Sequence, residues 1–277
     1  MIRLTSLLVL LVLTASLQAQ TARSLLGEMF AAIEQSRAHA FTMVMEERID
    51  GEMVRSGMDC KVQYSPYRCF IDNTSGPNEG VQVLYVEGER NDKALINKMF
   101  GIKLSPFNNL IRADQHNTLL SLGFQTPHAI LSDAIRRADE RDAFDQVFSY
   151  EGTVTFKGRT CHHIEIADPT FAYVNYTIRD GETLFDIAQR KNISEYLIVQ
   201  ANDFRNFNSG KAGETIRIPT SYAKRSTIYI DAQNKLPVYQ RMEDDQGLFE
   251  IYEYSNVVVN PGFTAADWDE DNEAYDF

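Results

Sequence analysis

Long apolar runs are scarce in this sequence. After the one at residues 7–13, no stretch is long and apolar enough to cross a bilayer, which excludes a polytopic helical membrane protein. Positive charge is also short: 27 Lys and Arg stand against 39 Asp and Glu, for a formal charge of −12. A chain so acidic is a poor match for an extended phosphate backbone, and no nucleic acid is expected as a partner. Cysteine occurs three times, and none follows the first apolar run closely, which argues against lipid attachment there. Catalytic signatures are missing as well. There is no Gly-x-Ser-x-Gly elbow, no His-Glu-x-x-His pair and no glycine-rich phosphate cradle.

The residues that could carry chemistry do not assemble on paper. Cys161, His162 and His163 are consecutive on a strand and alternate faces, so they cannot share one metal. His39, His116 and His128 are scattered through segments read as helical. Glu46 and Glu47 point to opposite faces of a strand, and Glu243, Asp244 and Asp245 sit at a turn and read as solvated. No metal, cofactor or catalytic residue is therefore expected, and the chain reads as a non-enzymatic protein, with a cell-wall hydrolase as a third reading.

What is present begins with MIRLTSLLVLLVLTASLQAQ. Arg3, the apolar run and small residues up to Ala19 form the three-part layout of a secretory signal peptide over residues 1–19. A permanent N-terminal anchor is the alternative reading. The signal reading gives an exported protein of the periplasm or cell envelope, with no transmembrane span after cleavage. Export permits a disulfide. Cys60 and Cys69 flank the turn at Ser65-Pro66 and can face each other across a hairpin, bridged or free, which leaves Cys161 as a buried thiol.

An apolar fraction of 44 %, with 13 Tyr and 16 Phe, suits a globular chain rich in strands. Leu25, Leu26, Met29, Phe30 and Ile33 recur at helical spacing. From Phe41 the pattern alternates, broken at Asp50-Gly51, Ser65-Pro66 and Gly76-Pro77, which predicts antiparallel strands joined by tight turns. Helical patterning returns between Leu104 and Phe144. Strands resume on either side of Lys157-Gly158 and run on past Gln233-Asn234 and Gln246-Gly247. The expected architecture is α+β: a curved antiparallel sheet, a half-barrel, wrapping helices. The end of the chain, residues 264–277, carries six acidic residues and reads as a solvated tail.

One stretch interrupts this meander. Residues 173–221 read strand, helix, helix, strand, with Thr183 and Asp186 at capping-box spacing. If its two strands pair antiparallel, its ends lie side by side and it can be inserted in the connection between the strands around His163 and Thr227 at little cost beyond loop closure. The domains expected are thus 20–172 with 222–277, and the insert 173–221. YTIRDGETLFDIA, then Asn202, then AGETIRIP closely resemble the LysM module. Ile178 stands where that pattern has Val, Glu182 where it has Asp, and the loop from Asn202 lacks its common Pro. The resemblance implies binding of N-acetylglucosamine polymers, peptidoglycan or chitin. By position it assigns Asp180, Gly181, Glu182 and Thr183 to one side of the site and Asn202, Asp203 and Phe204 to the other. The physical reading agrees, since a turn before a helix offers N–H groups to acetamido carbonyls.

The outer domain, with its helix, long meander and lid-like helices, resembles the periplasmic lipoprotein-carrier (LolA/LolB-like) fold. Its ending, NVVVNPGFTAADWDEDNEAYDF, is similar to the tail of a group of exported bacterial proteins of undescribed function. The first of these implies a lipid or lipoprotein as an alternative partner.

Overall fold

The computed structural model describes residues 21–98 and 101–277, so the expected signal peptide lies outside the described residues. Helix α1 (Ala22–Glu34) starts at Thr21, whose hydroxyl accepts from the Ser24 N–H while Ser24 reaches back to the Thr21 N–H. Leu25, Leu26, Met29 and Ile33 on its inner stripe are all buried to 1 % exposure or less.

Six antiparallel strands follow: β1 (Ala38–Ile49), β2 (Glu52–Tyr64), β3 (Tyr67–Ser75), β4 (Gln82–Val86), β5 (Ala94–Ile96) and β6 (Ile102–Leu104). The β1–β2 turn forms because Asp50 and Gly51 both adopt positive φ, 49° and 87°, as a tight twisted hairpin requires. A strap of short helices comes next: α2 (Asn109–Arg112), a single 3₁₀ turn at Leu119–Ser121, α3 (Gln125–Asp139) and α4 (Phe144–Val147). Strands β7 (Phe148–Phe156) and β8 (Arg159–Ala167) turn at Lys157 and Gly158.

There the insert begins. It comprises β9 (Tyr173–Thr177), α5 (Leu184–Lys191), α6 (Glu195–Ala201) and β10 (Thr215–Pro219). The outer sheet then resumes with β11 (Arg225–Asp231), β12 (Pro237–Glu243) and β13 (Leu248–Val259). β11 pairs antiparallel with β8, Ala167 opposite Arg225, so the insert occupies a hairpin connection.

Among the described residues the large sheet has eleven strands in the order β6-β5-β4-β3-β2-β1-β13-β12-β11-β8-β7. Its edges, β6 and β7, do not meet, so the sheet is open. α1, α3 and α4 fill its concave face, and one apolar cluster joins them to alternate residues of the strands, such as Phe41, Met43 and Met45 of β1. The fold is α+β, as the pattern of the sequence predicts.

An expectation for the end of the chain is corrected. The acidic end is not simply solvated. Phe70, Leu84, Val86 and Leu95 on the outer face of the sheet form a second apolar patch, which buries Trp268. Tyr275 stacks on Phe70 at 3.9 Å, and Lys61 pairs with Asp267 at 2.7 Å. The aromatic residues anchor the segment while most of its carboxylates face water.

Of the two readings left open for Cys60 and Cys69, the structure has the free one, and both are buried thiols. The β2–β3 register sets Cys60 opposite Ile71 and Val62 opposite Cys69, so the two cysteines are out of step by two residues. Burial pushes the Cys69 thiol up to about 12 and raises Cys60 further from reactivity. Excess reductant should therefore leave Tm unchanged. A bridge worth about 2–4 kcal/mol would instead show as a fall of several degrees.

Candidate functional site

The insert has its own two-stranded sheet and its own core of Ile178, Leu184, Ile187, Ile198, Ile216 and Ile218. Its first loop descends from β9 through Asp180 and Gly181, the latter at φ 74°, into α5. Thr183 is the N-cap. Its hydroxyl accepts from the Asp186 N–H at 3.1 Å, and Asp186 accepts from the Thr183 N–H at 2.9 Å. The second loop leaves α6 at Asn202. It folds back so that Gly210 lies against Ile178 and Leu184, where a Cβ would come within 2.8 Å of the Ile178 side chain. The Gly213 N–H then donates to the Ile178 carbonyl. This return sets Gly210 and Gly213, at the far end of the second loop, against Ile178 and Leu184, which flank the first.

The seven expected residues divide into two groups. Asp180, Gly181, Thr183 and Asp203 are exposed, Asp203 in the left-handed region at φ 51°. Glu182, Asn202 and Phe204 are turned toward the module itself. The Glu182 carboxylate accepts from the Tyr176 hydroxyl at 2.7 Å and the Arg179 N–H at 3.1 Å, and it pairs with Arg190. Burial alone would raise this carboxyl, but those donors hold it below the usual range. Asn202 staples α6 to β10: its amide donates to the Ile198 and Arg217 carbonyls, both at 2.7 Å, and accepts from the Arg217 N–H at 2.8 Å. Phe204 packs against the module core.

The module is not a bead on a string. Helix α6 divides its apolar residues, with Ile198 entering the module core and Leu197, fully buried, entering the core of the outer domain. Between them Tyr196 stacks on His116 at 3.6 Å and 13°. Glu195, at the start of α6, receives Arg112 through two hydrogen bonds of 2.7 and 3.2 Å, and both side chains are buried. Arg112 also donates to the His116 carbonyl and lies 3.7 Å over the Phe207 ring. Arg48 of β1 reaches Gln200 at 3.1 Å and pairs with buried Asp244. Phe107 meets Phe185 edge-on, and Asn208 donates to Asn109.

Behind this contact lies a cluster that pattern reading passed over. Glu47, His116 and Glu250 come from β1, the strap and β13, all at 2 % exposure or less. His116 presents Nδ1 to a Glu250 oxygen at 2.8 Å and Nε2 to the Arg48 carbonyl at 2.9 Å. Both partners are acceptors, so both ring nitrogens must carry protons and His116 is an imidazolium. Glu47 accepts from the His116 N–H at 2.8 Å and from Tyr252, while Tyr222 donates to Glu250 at 2.9 Å. The three residues lie within 4.8 Å of one another, a donor set that could hold a cation. The imidazolium already fills that role, and every oxygen of the two carboxylates has a donor. Burial works to lower the His116 pKa, but the adjacent Glu47 and Glu250 carboxylates raise it above 6.5. Burial also raises Glu47 from 4.5.

Between α3 and the sheet there is a cavity of about 130 Å³, lined by apolar side chains that include Met43, Met45, Met58 and Met242 and by polar ones that include Arg137, Arg141, Asp168 and Gln240. Glu47, Tyr222 and Tyr252 of the charged cluster border it. A smaller space of about 30 Å³ lies between α3 and α5.

Two measurements follow from the junction. Arg112→Ala strands a buried carboxylate on Glu195 and should cost about 3–5 kcal/mol in urea denaturation, with Arg112→Leu/Glu195→Leu recovering most of it. A loss under about 1 kcal/mol would mean that the pair is solvated. His116 and Glu47 both hold protons more tightly in the folded state. Their contribution is therefore complete at low pH and is lost as pH rises, for His116 from about 6.5 upward. The urea midpoint should fall as pH rises above about 6.5, and His116→Ala should flatten that slope.

Comparison with solved structures finds Mycobacterium tuberculosis lipoprotein LppX, 13 % identical at a TM-score of 0.42, over 87 % of this chain and 98 % of that one. LprF from Mycobacterium bovis is 11 % identical at 0.39, over 88 % and 94 %. A LolA superfamily protein from Nitrosomonas europaea is 8 % identical at 0.31, over 86 % and 93 %. Likenesses this distant carry no argument about function. Comparison with curated proteins finds no match. Residues 176–219 match the LysM domain. Residues 36–195 and 200–277 match a second profile, and the chain belongs to the family that profile describes, protein of unknown function (DUF1571).

Proposed function

We propose that this is an exported, non-enzymatic protein of the cell envelope that binds N-acetylglucosamine-containing glycan, peptidoglycan foremost, through its LysM module. The observation that carries the reading is the LysM match over residues 176–219. Asp180, Gly181, Thr183 and Asp203 are the exposed members of the two loops and the proposed contacts for sugar hydroxyls and acetamido groups. Glu182, Asn202 and Phe204 support them from behind. No catalytic family is indicated by either match. Among the described residues no helix is long and apolar enough to cross a membrane, which accords with tethering through the glycan.

A second reading, carriage of a lipid or lipoprotein acyl group, is favoured by one observation: the methionine-lined cavity under α3. Unbranched thioether side chains adapt readily to an apolar guest.

Residues 21–277 mixed with insoluble peptidoglycan should pellet with it on centrifugation. Asp180→Ala combined with Asp203→Asn should weaken retention about tenfold, roughly 1.4 kcal/mol, with Tm unchanged. Complete recovery of the parent protein in the supernatant at every glycan load would contradict the glycan reading.

A further inference from the structure

The face that α3 turns to the larger cavity changes character along the helix. Thr126, Ile130, Ala134 and Arg137 recur at intervals of four, four and three and line the space, and Arg141 joins them just past the helix end. The row is thus apolar through its middle and ends in two guanidinium groups. Arg141 is the one lining residue that is exposed, while the others are buried or half-buried. A long side chain that forms part of the wall and also reaches water places the approach to the cavity at the arginine end.

The fold does not use up these two arginines. Arg137 donates through Nη1 to the Thr220 carbonyl, but its Nε, 3.0 Å from Asp133, has no hydrogen-bond partner. Asp133 is also shared with Arg136 at 2.5 Å. Arg141 donates to the Thr170 hydroxyl, and its Nη2 stands 3.6 Å from Asp168, beyond hydrogen-bond reach. Asp168 is already served by the Thr170 N–H at 2.9 Å and the Thr170 hydroxyl at 2.6 Å, so it does not depend on Arg141. Glu47, the other lining carboxylate, is matched by the His116 N–H and the Tyr252 hydroxyl. Two guanidinium groups therefore face one lining carboxylate at this end, which leaves positive charge for a guest to answer.

Deeper in, Gln240 has a buried amide nitrogen without a partner. A single unmatched donor is too little to seat a polar molecule, whereas an alkyl chain suits the thioethers of Met43, Met45, Met58 and Met242. At about 130 Å³ the space approaches the size of engineered apolar cavities that take up benzene, with room for about six carbons. A longer chain requires the methionines to shift.

We propose that this cavity takes a single-chain anionic amphiphile, its head held by Arg137 and Arg141 and its alkyl chain among the methionines. This rests on the acyl-carriage reading, is independent of the glycan reading, and narrows the guest from any lipid to one with a carboxylate or phosphate head. A guanidinium fork meets either anion with charge-assisted, often paired hydrogen bonds.

Isothermal titration calorimetry on residues 21–277 tests this with four eight-carbon probes below their micellar concentrations: octanoate, octyl phosphate, 1-octanol and octyltrimethylammonium. At least one of the two anions should bind about tenfold or more tighter than octanol, and the one that does names the head. The ammonium should bind more weakly than octanol. Arg137→Gln combined with Arg141→Gln should bring the anion down to the octanol value and leave octanol unchanged. Arg141→Glu, at the exposed position, should remove the preference alone and serves if the double variant folds poorly. Octanol or the ammonium bound as tightly as both anions, or an anion preference that survives a folded arginine variant, overturns the anionic head alone. No binding of any probe overturns the acyl-carriage reading and this proposal with it.

Discussion

A protonated histidine between two buried carboxylates holds the centre of this molecule. His116 carries the positive charge, Glu47 and Glu250 answer it, and tyrosine hydroxyls occupy their remaining oxygens. In a medium of low dielectric such a group is tolerable only when every member is satisfied. The requirement fixes three distant parts of the chain at once: a central strand, the strap and the last strand. Because Tyr196 of α6 lies flat on the same imidazolium, it fixes the module too.

The docking of the module has consequences at its far side. The loops that face solvent are set by contacts within the module, such as Glu182 with Arg190 and Asn202 with Arg217. The direction in which those loops face is set by the outer domain, through Arg112, Arg48 and Phe107. That arrangement distinguishes an inserted module from one joined by a flexible linker, whose orientation would be free.

Much of this was legible in the sequence, and the reasons are local. Strand alternation and the Asp50-Gly51 and Lys157-Gly158 turns announce the sheet, because residues at positive φ suit only a few side chains. Thr183 and Asp186 announce α5 through three-residue spacing. The charged cluster was illegible because His116 lies 69 residues from Glu47 and 134 from Glu250. Period-two reasoning separates Glu46 from Glu47 correctly but cannot say that the inward member meets a histidine from a strap. Helix α6 was only half read, since a run such as Tyr196-Leu197-Ile198 signals burial without saying that two different cores share it. The six acidic residues of the tail hid Trp268 and Tyr275, which decide where that segment lies. Of the seven residues assigned by position, the three that turn inward do so for partners, Arg190, Arg217 and the module core, that only the folded chain supplies.

The central claim is that buried charge makes the two domains one cooperative body. Differential scanning calorimetry of residues 21–277 near pH 6 tests it most directly. The account predicts a single transition with equal calorimetric and van't Hoff enthalpies. Two resolved transitions, with the module melting apart from the sheet, would contradict it.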